Sequence, residues 1–288
     1  MSAHERFIRL IDMESAAGRK IERSMASMRE QLVNMFTRIM AGTVTREEGT
    51  MLINHLVRAS QAEAVKELSA LIETPPPGVF PKTILHTVSL SRNKALHNII
   101  IAGLEHKNED VSILAAQELA SQKTVEAKSV LVEHLDSEVY HVRKASAIAL
   151  ARGFADDGLE ILKRHLLEHQ EPFFRSTTAQ ALLMAGKNGV ETLLSILSTG
   201  NTGAMETVSE VLVSSNDAIS STDIPKIFDA LMKAGDRKDS SAVIALLKVA
   251  GSLGYRAKGY EGFVMAFTDH QYDVVRKEAN NALKHIRA

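Results

Sequence analysis

The chain has 288 residues, 45% of them apolar and 24% charged, enough apolar material for a real core and too little net charge for an intrinsically disordered chain. Lys plus Arg number 34 against 35 Asp plus Glu, a net charge of −1. No cationic excess is therefore at hand for a nucleic-acid backbone or an anionic membrane surface, and the absence of cysteine removes disulfides, thiolate nucleophiles and Cys-ligated metal sites.

The first ten residues carry Glu5, Arg6 and Arg9 and lack the apolar run of a secretory signal. No stretch approaches the roughly 18 consecutive apolar residues of a membrane span, and the expectation is a soluble, cytoplasmic protein. Ile21, Met25, Met28, Leu32, Met35 and Ile39 alternate spacings of four and three, a heptad seam that predicts one long helix from about His4 to Ala41, roughly 55 Å at 1.5 Å per residue. That seam serves either as core against the helices that follow or, in part, as a surface for self-association, and a homodimer through it is expected. Thr45 and Glu48 give a capping-box signal that opens a helix over about 46–59, and another follows over about 62–72. Pro75-Pro76-Pro77-Gly78 is incompatible with helix and makes a stiff joint. The domain boundary is placed there, giving an N-terminal helical region (1–74) and a second region (75–288).

The second region repeats itself. Val142-Arg143 is followed by small residues at +4 and +7 (Ser146, Ala149) and by Leu150 at +8. Phe174-Arg175 leads in the same way to Thr178, Ala181 and Leu182, and Val275-Arg276 to Ala279, Ala282 and Leu283. A degenerate copy runs from Val111 to Leu119, with Ser112 in place of the arginine and Glu118 in place of the second small residue. The spacings are 31 residues (111 to 142) and 32 (142 to 174). Weaker copies fit at 204–212, around 240–247 and at 80–88. Offsets 0, +4, +7 and +8 share about 100° of a helix, so each unit buries one stripe. A second amphipathic run precedes each (125–135, 158–167, 190–197, 224–232). Each unit is then a helix–turn–helix that cannot bury its stripe alone and must stack on its neighbours. No segment alternates with period two, so no sheet is expected.

The Val-Val-Arg-x-x-Ala-x-x-Ala-Leu run ending at Leu283, with its partners at Val142 and Phe174, resembles the HEAT repeat, particularly the short bacterial variety also found in phycobilin lyases. The resemblance covers roughly residues 79–288 and implies an α-solenoid of about six or seven HEAT-like helix pairs, preceded by an N-terminal helical region containing one long helix, all-α throughout. The family is functionally broad, so the fold does not give an activity.

Three arginines at +1 (Arg143, Arg175, Arg276) are expected to bond carbonyls or an Asp at the seam between repeats, a task that suits the five-donor head. Deoxyhypusine hydroxylase, a HEAT-like enzyme, holds iron through His-Glu pairs. Here the order is reversed, as Glu105-His106, Glu133-His134 and Glu168-His169, and these histidines are read as caps at helix ends; no metal ligand, catalytic residue or cofactor is assigned. No phosphate-binding glycine loop, nucleophile elbow or His-Glu-x-x-His occurs. Outward positions of the second helices, at +2 and +6, include Gln117, Lys144, Gln180, Lys277 and Asn281, and this ladder is the candidate surface for another protein or a peptide. The expected function is a non-catalytic interaction scaffold or adaptor. The alternative is a phycobilin-lyase-like or chaperone-like accessory acting on a cofactor-bearing client.

Overall fold

The computed structural model describes residues 27–288, among which there are sixteen α-helices and no strand. The chain contacts divide it into two compact units between Leu119 and Ala120. Helix α1 (Met28–Met40), α2 (Arg46–Ala59), α3 (Gln61–Glu73), α4 (Pro81–Leu90) and α5 (His97–Leu104) lie in the first; α6 (Glu109–Gln122) contains the division. The second unit continues with α7 (Val125–Glu133), α8 (Tyr140–Gly153), α9 (Ala155–Glu168), α10 (Pro172–Met184), α11 (Lys187–Ile196) and α12 (Thr202–Ser214). It ends with α13 (Ile224–Asp236), α14 (Ser240–Ser252), the short α15 (Glu261–Met265) and α16 (Asp273–Arg287).

In the first unit, capping boxes start both α1 and α2. The Ser27 hydroxyl accepts from Glu30 N–H while the Glu30 carboxylate accepts from Ser27 N–H, and Thr45 and Glu48 do the same. Ser27 is extended (ψ 154°), so α1 begins at Met28, and a helix continuous from His4 to Ala41 is not formed. The part of the expected helix before Ser27, with Ile21 and Met25 of the seam, lies outside the described residues. From Met28 to Met35 the seam is core, with Met28, Leu32 and Met35 buried beside Phe36, Ile53, Leu68 and Leu71, while Ile39 is half-buried. Pro75–Gly78 forms the turn between α3 and α4, with Gly78 at φ +78°, and Pro81 opens α4 at its first turn. Phe80, the first residue of the weak copy at 80–88, is 62% exposed; the stripe of α4 is formed by Ile84, Leu85 and Val88 instead.

The second unit repeats one design. In α8 the stripe Val142, Ser146, Ala149 and Leu150 is buried, as are Phe174, Thr178, Ala181 and Leu182 in α10 and Val275, Ala279, Ala282 and Leu283 in α16. Each fully buried leucine contributes roughly 2 kcal/mol over its exposed state, but only against a neighbouring helix. In α14 the buried set is Ala242, Leu246, Val249 and Ala250, which places that repeat two residues later than the weak copy at 240. The last pair departs from the rule. Its first helix is replaced by a 3₁₀ segment, Gly254–Tyr260, and α15. Tyr260 stacks on Phe228 of α13 at 4.6 Å, and Arg256 donates to the carbonyls of Asn216 and Ile219.

Five of the turns between helices share one hydrogen-bonding scheme. The side chain five residues before the stripe accepts the N–H two residues on: His106 from Asn108, Ser137 from Val139, His169 from Glu171, Thr199 from Asn201 and His270 from Tyr272. In four of these five turns the carbonyl of that turn residue is then taken by the side chain at +1 of the stripe. Arg143 donates to Ser137 O at 2.6 Å, Arg175 to His169 O at 3.2 Å and Arg276 to His270 O at 2.8 Å. In the degenerate copy Ser112 Oγ does the same to His106 O at 3.0 Å. The arginines thus bond carbonyls of their own repeat, and Arg143 also reaches Thr177 of the next and lies over the rings of Phe173 and Phe174.

Two stability measurements follow. Arg143 is 4% exposed, whereas the Arg276 side chain is 39% exposed. Arg143→Ala should lose about 2–3 kcal/mol, lowering the melting temperature by roughly 5–10 °C, and Arg276→Ala less than half of that. An unchanged melting temperature for Arg143→Ala would contradict the structural role. Asp223, which precedes α13, is buried; burial opposes its charge, but hydrogen bonds from Ser220 and Lys226 outweigh it and hold the carboxyl below its usual value. A depressed folded pKa contributes stability that is present above the unfolded value of about 3.9 and lost as pH falls below it. Denaturant titrations at pH 5 and pH 3 should therefore show a smaller acid loss for Asp223→Asn than for the parent.

Candidate functional site

Positions +2 and +6 point away from the buried stripe of a second helix. Gln117 on α6, Gln180 on α10, and Lys277 and Asn281 on α16 are exposed, while Lys144 on α8 is half-buried with its Nζ 5.7 Å from the centre of the Tyr140 ring. Of the five, Asn281 lines a concavity of about 650 Å³ in the second unit, between α12, α14 and α16.

Six further polar residues of this groove escaped the sequence reading: Ser209, Glu210, Lys248, Ser252, Glu278 and His285. Two had a legible signal. Glu210 stands at +6 of the repeat beginning at Ala204, and Lys248 at +6 of the one beginning at Ala242. The second was hidden by the two-residue error in register. The floor is apolar and close, because Gly251 of α14 faces Ala282 of α16; a Cβ at 251 would stand 3.0 Å from Ala282 Cα. Glu210, Lys248, Glu278, Asn281 and His285 form no hydrogen bond or ion pair with other described residues. The groove thus presents two carboxylates, an ammonium, an imidazole and a carboxamide whose side-chain bonding capacity is not taken up by any other described residue.

A second gathering lies at the end of α9. Asp136 Oδ1, in the 3₁₀ turn after α7, is 2.9 Å from His165 Nε2 and 3.4 Å from His169 Nε2. His165 Nδ1 is 2.9 Å from Thr178 Oγ1 of α10. Because His169 Nδ1 accepts Glu171 N–H, the neutral His169 ring carries its proton on Nε2, directed at Asp136. Burial pushes the His165 imidazole below its ordinary range, against the pull of the Asp136 carboxylate. His106 and His169, and likewise His270, each accept a turn N–H through Nδ1, and His134 Nδ1 lies 2.7 Å from Val130 O at the end of α7. His165, four residues before His169 on the same helix, stands outside the Glu-His pattern.

Among the described residues no helix is long and apolar enough to cross a membrane. No curated protein matches the sequence. Solved structures similar to the chain include human deoxyhypusine hydroxylase in complex with glycerol, at 14% identity over 90% of this chain and 96% of that one, TM-score 0.35. Computationally designed armadillo repeat proteins for modular peptide recognition are similar at 16% identity over 82% of this chain and 98% of theirs, TM-score 0.25. Uso1-2 is similar at 14% identity over 93% of this chain and 52% of its own, TM-score 0.30. Identities and TM-scores this low bear on neither activity nor partner. The family model for HEAT repeats matches residues 97–183, from α5 into α10, without distinguishing a subtype.

Proposed function

We propose that the protein is an interaction scaffold that grips a peptide segment of another protein on the outward face of its second helices, with the groove between α12, α14 and α16 as the principal seat. The observation that carries this reading is the set of polar side chains, without a partner among the described residues, over an apolar floor. Polar groups with open bonding capacity around a concave apolar surface are the anatomy of a recognition site. Asn281 can donate to and accept from a peptide main chain at once, while Glu210, Glu278 and Lys248 select side chains by charge. Lys277 on α16, Gln180 on α10 and Lys144 on α8 stand at the same outward offsets and are assigned to the same surface. Gln117 holds the equivalent offset on α6.

The test uses the position of contact rather than capture alone. A photo-crosslinking residue at Asn281 or Lys248 should trap one and the same partner, and the same probe at Asp229, exposed on α13, should not. Asn281→Arg should weaken that partner at least about tenfold, on the scale of losing a central interface contact, with melting unchanged. A Lys144→Glu, Lys277→Glu double variant should weaken it further. Trapping from Asp229 alone, or full affinity in Asn281→Arg, would place recognition elsewhere.

A further inference from the structure

The geometry points to a binding site for a divalent transition-metal ion, of the zinc type, held by His165 and His169 of α9 and Asp136 of the preceding repeat. It is separate from the groove. His165 and His169 are four residues apart, so they stand one above the other on the same helix face. Asp136 is brought to them by the stacking of one repeat on the next.

An ion about 2.1 Å from each nitrogen and oxygen donor separates neighbouring donors by about 3.0 Å at a right angle and about 3.4 Å at the tetrahedral angle. The measured gaps from Asp136 Oδ1 are 2.9 Å and 3.4 Å, and all three donor atoms lie within 4.8 Å of one another. Both edges from the carboxylate to the imidazoles are those of a coordination sphere. Two imidazoles and one carboxylate suit zinc, cobalt or nickel rather than magnesium or calcium, and three protein ligands leave one position open.

Exposure is graded in a way that lets an ion enter. The Asp136 side chain is 61% exposed, His169 23% and His165 12%. Behind His165 the second shell is in place. With its proton on Nδ1 the ring donates to Thr178 Oγ1, whose own hydroxyl donates to Phe174 O at 3.2 Å; Nε2 is then free for the ion, and the ring is held in orientation. His169 must make the same exchange. Its proton passes from Nε2 to Nδ1, no net proton is released from either ring, and the bond from Glu171 N–H is given up. The site is therefore weaker than one with a free ring, and ion binding and the α9–α10 turn are coupled through one imidazole.

Cobalt is the probe. Untagged full-length protein, treated with chelator and dialysed, should take up one Co²⁺ per chain with saturable visible d–d absorption that Zn²⁺ abolishes. His165→Ala and Asp136→Asn should each weaken binding at least tenfold, and His55→Ala, an exposed histidine on α2, should leave it unchanged. No saturable band up to about 1 mM Co²⁺ in the parent protein would overturn the proposal, as would equal affinity in both site variants. The parent titration decides even if a variant fails to fold. Loss of partner binding in the groove variants has no bearing on the result.

Discussion

A backbone carbonyl in a turn between packed helices has water on too few sides to be left alone, and the architecture depends on how that need is met. At Ser137, His169 and His270 the carbonyl is claimed by an arginine six residues later, and at His106 by a serine. The donor sits on the first turn of the second helix, so satisfying the carbonyl also fixes where that helix starts and how it is rotated. Once rotation is fixed, the stripe at 0, +4, +7 and +8 faces its neighbours, and the residues at +2 and +6 are left facing out.

The scheme tolerates changes of residue that disguise it. Histidine, serine and threonine serve equally as the turn acceptor because each offers a lone pair close to its own main chain. At the donor position a serine can replace an arginine where the carbonyl lies within reach of a short side chain. Arginine adds what serine cannot. The Arg143 head, spread over Phe173 and Phe174 and bonded to Thr177, ties two adjacent repeats as well as its own turn. Repeats with little sequence in common can thus share one geometry.

Much of this was readable from residues alone where a single strong pattern governed. The stripes at 142, 174 and 275 and the capping box at Thr45 appear in the structure as expected. The reading failed where two local rules competed. Ser27 and Glu30 form a capping box inside a heptad pattern, and α1 starts at that cap although the periodicity runs through it. Phe80 looks like the start of a stripe, yet it precedes a proline, which holds it extended and outside the helix (ψ 135°). In α14 the Asp239 side chain caps Ala242 N–H and so sets the register that composition left open. The polar groove and the Asp136, His165 and His169 cluster depend on stacking between repeats, information that no single repeat contains.

The contact between Gly251 and Ala282 has a consequence for what the groove admits. Two helices meet there with a hydrogen atom where other residues carry carbon, so the separation of α14 and α16, and with it the girth of anything lying between Lys248 and Asn281, is set by one missing methyl group. An alanine at 251 would act as a wedge, spreading the walls by a few tenths of an ångström without touching a recognition residue. Selectivity for slender or bulky segments could then drift by changing the hinge of the cleft while its chemistry stayed the same.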